Sequence, residues 1–301
     1  MPNTAHIRIP SNRVRDIERY LHAELAGLYP DKEIGAFVDI LFEAFLDWDK
    51  AHLLLHRDDT VNQSDLLRFH WAAEDLKQYR PIQYIVGYTH FCCLRLQVQE
   101  GVLIPRPETE EIIERIKQSC SPGTILDLCT GSGCMALALA AHFREAEVYG
   151  IDVSPEALAV AKRNAADNGL EVTFLQCDLL HGDPPLPHSA FDLIVSNPPY
   201  VCDSERKDMS PNVLDHEPSL ALFVPDDDPL LFYRTIGHYA SHHLSPNGLL
   251  VLEINEHLGN ETCQLLQQQG FSTTLHKDFR DKDRCIIAHK TLNSQFSILN
   301  S

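Results

Sequence analysis

No run of consecutive apolar residues in this sequence is long enough to cross a membrane as a helix. The first residues, Met1-Pro2-Asn3-Thr4-Ala5-His6, lack the charged-then-apolar pattern of a secretory signal, so a cytoplasmic protein is expected. None of the nine cysteines forms a Cys-x-x-Cys pair. Without a secretory signal they are expected to be reduced, mostly buried thiols. Positive charge is scarce: Lys and Arg number 25 against 43 Asp and Glu, a formal net charge of −18. That balance argues against strong non-specific binding to nucleic acid and is compatible with a basic protein partner. Neither a membrane nor a stably bound nucleic acid is expected.

What is present suffices for one large or two ordinary domains, since the chain has 301 residues. Residues 11–80 carry helical periodicity. Ile17, Tyr20, Leu21, Leu25 and Leu28 form a stripe ending near Pro30, and further helices are expected over 34–48, around Leu53-Leu54-Leu55, and over 64–79. Two short strand-like runs, 90–97 and 98–104, predict a hairpin between domains. A rigid loop, Pro105-Arg106-Pro107, then leads into a helix over 108–120. Its acidic first turn suits a helix dipole.

From Pro122 the period changes. Strands are expected over 124–128, 147–151, 171–176, 191–196 and 249–254, and helices over 134–142, 155–168 and 229–243. Such alternation predicts a doubly wound, mostly parallel α/β sheet. Two final strands, 272–277 and 285–289, are expected as an antiparallel pair. The organisation is therefore a helical domain over 1–87, a β-hairpin linker over 88–105, an α/β domain over 106–290 and a flexible tail over 291–301.

Two stretches carry chemistry. Asp127-Leu128-Cys129-Thr130-Gly131-Ser132-Gly133 closes a strand and opens a helix, where glycines let backbone N–H groups approach a ligand. Asp152 ends the next strand, 21 residues past Gly131, where an acid can accept ribose hydroxyls. Asp178 and Leu179 end the third strand and would border an adenine, as acceptor and apolar wall. These features point to a nucleoside cofactor, which dinucleotide dehydrogenases also bind.

The second stretch decides between cofactors. The strand 191–196 stops at Asn197-Pro198-Pro199-Tyr200. Proline fixes φ and has no N–H, and it drives the residue before it into an extended conformation. The Asn197 side-chain oxygen and the Pro198 carbonyl are then two acceptors able to converge on one planar –NH2 group, with Tyr200 stacking on it. Hydride transfer has no use for such a corner. Methyl transfer from a sulfonium to nitrogen does, so S-adenosylmethionine is the expected cofactor.

Together these stretches resemble class I methyltransferases of the amino-group-modifying type, with a seven-stranded sheet. Pro81-Ile82-Gln83-Tyr84-Ile85-x-Gly87, Ile104-Pro105-Arg106-Pro107-Glu108-Thr109-Glu110, Asn197-Pro198-Pro199-Tyr200-Val201 and His216-Glu217-Pro218 narrow this. With them the chain resembles the peptide chain release factor glutamine methyltransferase family over nearly its whole length. The resemblance implies methylation of the glutamine amide in the Gly-Gly-Gln loop of release factors. It implies that Asn197, Pro198, Pro199 and Tyr200 bind that amide, with Arg106 nearby. It implies that Asp127, Cys129, Thr130, Gly131, Ser132, Gly133, Asp152, Asp178, Leu179 and Asn197 line the donor site. The N-terminal domain would dock the release factor. Cys129 stands where the family has glycine, as it does in enzymes that modify a ribosomal protein, and the segment 253–256 lacks the usual glycine after Glu253-Ile254. Rival readings are glutamine methylation of a ribosomal protein, methylation of adenine or cytosine amino groups, and a catalytically inactive binding subunit. No metal is expected: His238, His242 and His243 are assigned to a solvated helix face, and 226–228 to a charged loop.

Overall fold

The structure, a computed structural model, describes residue 9 and residues 11–291. The expected tail therefore lies, apart from Thr291, outside the described residues. The described chain divides into two compact units, one of residues up to Gly87 together with Pro211–His216, the other of Tyr88–Ser210 and the residues from Glu217 on.

The first unit is helical. It holds α1 (Val14–Leu25), α2 (Asp31–Leu46), α3 (Lys50–Leu55), α4 (Gln63–Lys77) and α5 (Ile82–Val86). Asp49 and Asn62 cap α3 and α4 by accepting the N–H groups of His52 and Asp65. Ile17, Leu21, Leu25, Leu41, Phe42, Phe69 and Leu76 form its core. The stripe expected to reach Leu28 stops at Leu25. Gly27 turns the chain at φ 83° and leaves Leu28 exposed. Residues 211–216 belong to this unit, and His216 Nε2 donates to the Gln78 carbonyl at 2.8 Å.

The second unit opens with a hairpin of β1 (Tyr88–Phe91) and β2 (Leu94–Gln97). This corrects the expected pair of strands over 90–97 and 98–104. Cys92 and Cys93, at φ 47° and 66°, form a two-residue turn inside the first run. Such turns usually advertise themselves with Asn-Gly, so two cysteines hid this one. The chain continues through α6 (Pro107–Ser119), β3 (Thr124–Leu128), α7 (Cys134–His142), β4 (Glu147–Asp152), α8 (Pro155–Asp167), β5 (Thr173–Gln176), β6 (Phe191–Ser196) and β7 (Val201–Cys202). Then come α9 (Pro211–Leu214), which belongs to the first unit, α10 (Ser219–Leu222), β8 (Phe223–Val224), α11 (Leu231–His243), β9 (Leu244–Glu253), α12 (Gly259–Gln268), β10 (Phe271–Lys277) and β11 (Asp283–Lys290).

Seven strands form one sheet in the order β10-β11-β9-β6-β3-β4-β5. β9, β6, β3, β4 and β5 run parallel, while β11 is antiparallel to both β9 and β10. Alternate residues of the central strands feed different cores. Ile125, Leu193, Val195, Leu249 and Val251 pack with α6, α7 and α8. Leu126, Leu128, Ile194, Leu250 and Leu252 pack with α11 and α12. Both faces are covered, which is why these strands are apolar at nearly every position. From β3 the chain winds one way to β4 and β5, then returns to β6 and β9 on the other side. The winding thus reverses between β3 and β6, and the carboxyl ends of these strands are the expected ligand-binding crevice.

Candidate active site

β3 and β6 are hydrogen-bonded neighbours with Leu128 opposite Ser196, and the Ser196 hydroxyl donates to the Leu128 carbonyl at 2.6 Å. Cys129 and Asn197, the next residues, therefore leave the sheet side by side.

The loop after β3 is bent by backbone conformation. Cys129, Gly131 and Gly133 have φ of 61°, 57° and 81°. Gly133 has a second constraint, since a Cβ there would lie 3.1 Å from both Ala161 and Phe174. The loop is tied to β4 by the Thr130 N–H on the Ile151 carbonyl at 2.9 Å. Asp127 sits beneath it, buried. Its Oδ2 accepts the Thr130 hydroxyl at 2.6 Å and the Ala136 N–H at 3.1 Å, while its buried Oδ1 has no hydrogen-bond partner. Burial raises its pKa to about 7.

Asp152 ends β4. Its Oδ2 accepts the Gly131 N–H at 2.8 Å and its Oδ1 the Ser154 N–H at 2.9 Å. A carboxylate offers about four lone-pair sites, so acceptor capacity remains for hydroxyl groups. Burial raises the Asp152 pKa above its ordinary value. Asp178 accepts from the Leu180 N–H at 3.0 Å and meets the His181 ring at 2.7 Å.

Two cavities with shared walls lie at these strand ends. The larger is lined by Cys129, Gly131, Asp152, Asp178, Leu179, Asn197 and Pro199. Gly101, Val102, Leu103, Leu220 and Phe232 complete an apolar side that the sequence reading missed. The smaller is lined by Arg106, Asp127, Cys129, Thr130, Gly131, Ser132 and Asn197. Most of the residues singled out from the sequence thus converge. Gly133, Pro198 and Tyr200 do not line either cavity.

Tyr200 is the clearest departure from the expected geometry. Its ring packs against the core shared with α11 and α12, and its hydroxyl donates to Glu253 Oε1 at 3.1 Å. Burial, with the Glu253 carboxylate beside it, pushes the phenol well above its ordinary pKa. The other oxygen of Glu253 accepts the Thr109 hydroxyl at 2.6 Å, and burial raises the pKa of this carboxyl. Arg106 pairs with the buried Glu217 at 2.6 Å, and Glu217 also accepts the Ile104 N–H at 3.1 Å. Glu217 and Glu253 thus hold the 104–109 segment in place. A charged residue at the end of the apolar run of β9 was a readable signal for Glu253.

Among the described residues no group of three or more metal-binding side chains occurs. His242 Nδ1 bonds the His238 carbonyl within α11, and Asp228 pairs with Arg234 at 2.8 Å.

Comparison with known proteins gives matches over most of the chain. Residues 19–87 match the PrmC N-terminal domain and residues 125–215 a methyltransferase domain. A release factor glutamine methyltransferase of Flavobacterium psychrophilum is 45% identical over 269 residues, covering 87% of this chain and 94% of that one. One of Bacteroides thetaiotaomicron is 37% identical over 276 residues, covering 91% and 99%. A solved methyltransferase from Pyrococcus furiosus shares the fold, with a TM-score of 0.51 at 19% identity, covering 77% of this chain and 100% of that one.

Proposed function

The chain belongs to the release factor glutamine methyltransferase family, and from that premise we propose that it transfers the methyl group of S-adenosylmethionine to the side-chain nitrogen of the Gly-Gly-Gln glutamine of a peptide chain release factor. The observation that carries this reading is the adjacency of the Cys129–Gly133 loop and the Asn197 corner on one pair of cavities.

The residues present fit the donor. Asp127 Oδ1 is a buried acceptor without a partner, in a side chain that lines the smaller cavity, and it suits the ammonium group of the methionine part. Asp152 has acceptor capacity left for the ribose hydroxyls. Asp178 and Leu179 supply a polar and an apolar border for the base. When bound, S-adenosylmethionine supplies a methyl group on a sulfonium, and the amide nitrogen forms its N–C bond as the S–C bond breaks.

The protein's part is positioning. An amide lone pair is delocalised into its carbonyl and makes a poor nucleophile. Asn197 accepts one amide N–H through its side-chain oxygen, and the Pro198 carbonyl accepts the other. Both acceptors gain strength as positive charge grows on nitrogen. Fixing the two N–H groups aims the lone pair. The methylated nitrogen is a strong acid, so its proton leaves to water and no dedicated base is needed. In this reading Tyr200 acts from below the corner, the helical unit docks the release factor, and the setting is the cytoplasm.

Incubation with isotopically labelled donor and a purified release factor, followed by fragment mass mapping, tests this. A single methyl on the Gly-Gly-Gln glutamine is expected. A release factor recovered without that methyl would overturn it.

A further inference from the structure

Two prolines fix φ at positions 198 and 199, and Pro199 holds ψ of Pro198 extended, but ψ at Pro199 is left free. The corner therefore needs a second restraint, and the chain supplies it at Tyr200. The Tyr200 N–H donates to the Leu222 carbonyl at 3.2 Å. The Tyr200 carbonyl accepts Asn255 Nδ2 at 3.0 Å, and its hydroxyl is held by Glu253. Asn255 is buried and its side chain is fully used. Its second Nδ2 proton goes to Glu205 Oε2 at 2.9 Å, and its Oδ1 accepts the His257 N–H at 2.9 Å. Its backbone N–H donates to the Tyr233 hydroxyl at 3.0 Å. A carbonyl and a carboxylate both face Nδ2, so that position requires two donors. Glycine there would supply none, and aspartate would present an acceptor to two acceptors.

We infer that Asn255 is a positioning residue for the reaction. Its amide pins the Tyr200 carbonyl and, together with the Tyr200 N–H on the Leu222 carbonyl, which sets ψ at Pro199, anchors the chain leaving the corner and so keeps the Asn197 side chain at the cavity wall. Ser196, in register with Leu128 and Leu252, holds the other end of the corner. This inference rests on the reading that the corner binds the substrate amide.

Four variants test it through kcat, KM for the release factor, calorimetric donor Kd and Tm. Asn255→Asp is expected to lower kcat about tenfold, with donor Kd unchanged, because a small misplacement of reacting groups is costly. Adding Glu205→Gln recreates a bond between positions 255 and 205, with donor and acceptor exchanged, but still leaves the Tyr200 carbonyl facing an acceptor. The double variant is therefore expected to recover Tm and not kcat. Recovery of kcat along with Tm would make Asn255 a merely structural residue and overturn the inference. Asn255→Gly covers the case in which the aspartate does not fold. It should also lose about tenfold in kcat at unchanged donor Kd, and an unchanged kcat would overturn the inference. Asn197→Ala separates the two levels. Full turnover in that variant would remove the corner reading itself, and the inference with it.

Discussion

The loop after β3 and the corner after β6 leave neighbouring strands side by side, yet they are built by opposite means. The loop takes three left-handed residues in five, Cys129, Gly131 and Gly133. It gains its shape from backbone freedom and is held from outside by the Asp127 and Asp152 carboxylates. The corner has no left-handed residue and takes its shape from proline. Proline keeps its carbonyl and has no N–H, so two prolines after an asparagine make a local excess of acceptors. A partner rich in N–H groups is what such a surface recognises, and a primary amide is the compact case. The freedom of one segment suits close approach to a donor molecule, and the stiffness of the other suits the aiming of a nitrogen.

The comparison breaks first at Asn197. Asn197→Ala should lower turnover at least about a hundredfold, the scale for losing one such polar contact, while calorimetry finds donor affinity unchanged. The loop has its own failure mode. Gly133→Val puts a branched side chain at φ 81° against Ala161 and Phe174, and should cost about 2 kcal/mol of stability by denaturant unfolding and weaken donor binding.

Asp127 sharpens the contrast through pH. Its carboxyl titrates near pH 7 in the folded protein, above the ordinary value of about 3.9. The folded state therefore binds the extra proton between those values, and stability from this group falls as pH rises through that window. A cationic donor needs the ionised form, so donor affinity should fall about tenfold per unit as pH drops below 7. Asp127→Asn should remove that slope and bind donor more weakly at pH 8. The smallest effect is expected at Cys129. Glycine there relieves left-handed strain but adds unfolded-state entropy, so Cys129→Gly should shift stability by less than about 1 kcal/mol and keep activity. A large loss of activity would give the thiol a role.

Elements with strong local punctuation were readable in the sequence. β3, α7 and β6 fall where expected because glycine or proline marks one boundary of each: Gly123 before β3, Gly133 before α7 and Pro198 after β6. α12 was missed: Asn260, Glu261, Gln264, Gln267 and Gln268 make most of its surface polar, and Leu266 is its main fully buried anchor. In the site, Asn197, Asp152 and the loop glycines announce themselves by position after strands. Glu217 and Asn255 do not, because each acts through a bond to a residue far away in the chain, and Glu253, though legible as a charge ending β9, has its partners equally far away. Tyr200 was legible as part of the corner, but its attachment to Glu253 depends on β9 lying next to β6 in the sheet.

A crystal structure of the protein with S-adenosylhomocysteine and a Gly-Gly-Gln peptide would test the central claim most directly. The glutamine side-chain nitrogen should lie within hydrogen-bond distance of both Asn197 Oδ1 and the Pro198 carbonyl. A glutamine amide bound in the site but touching neither oxygen would contradict the account.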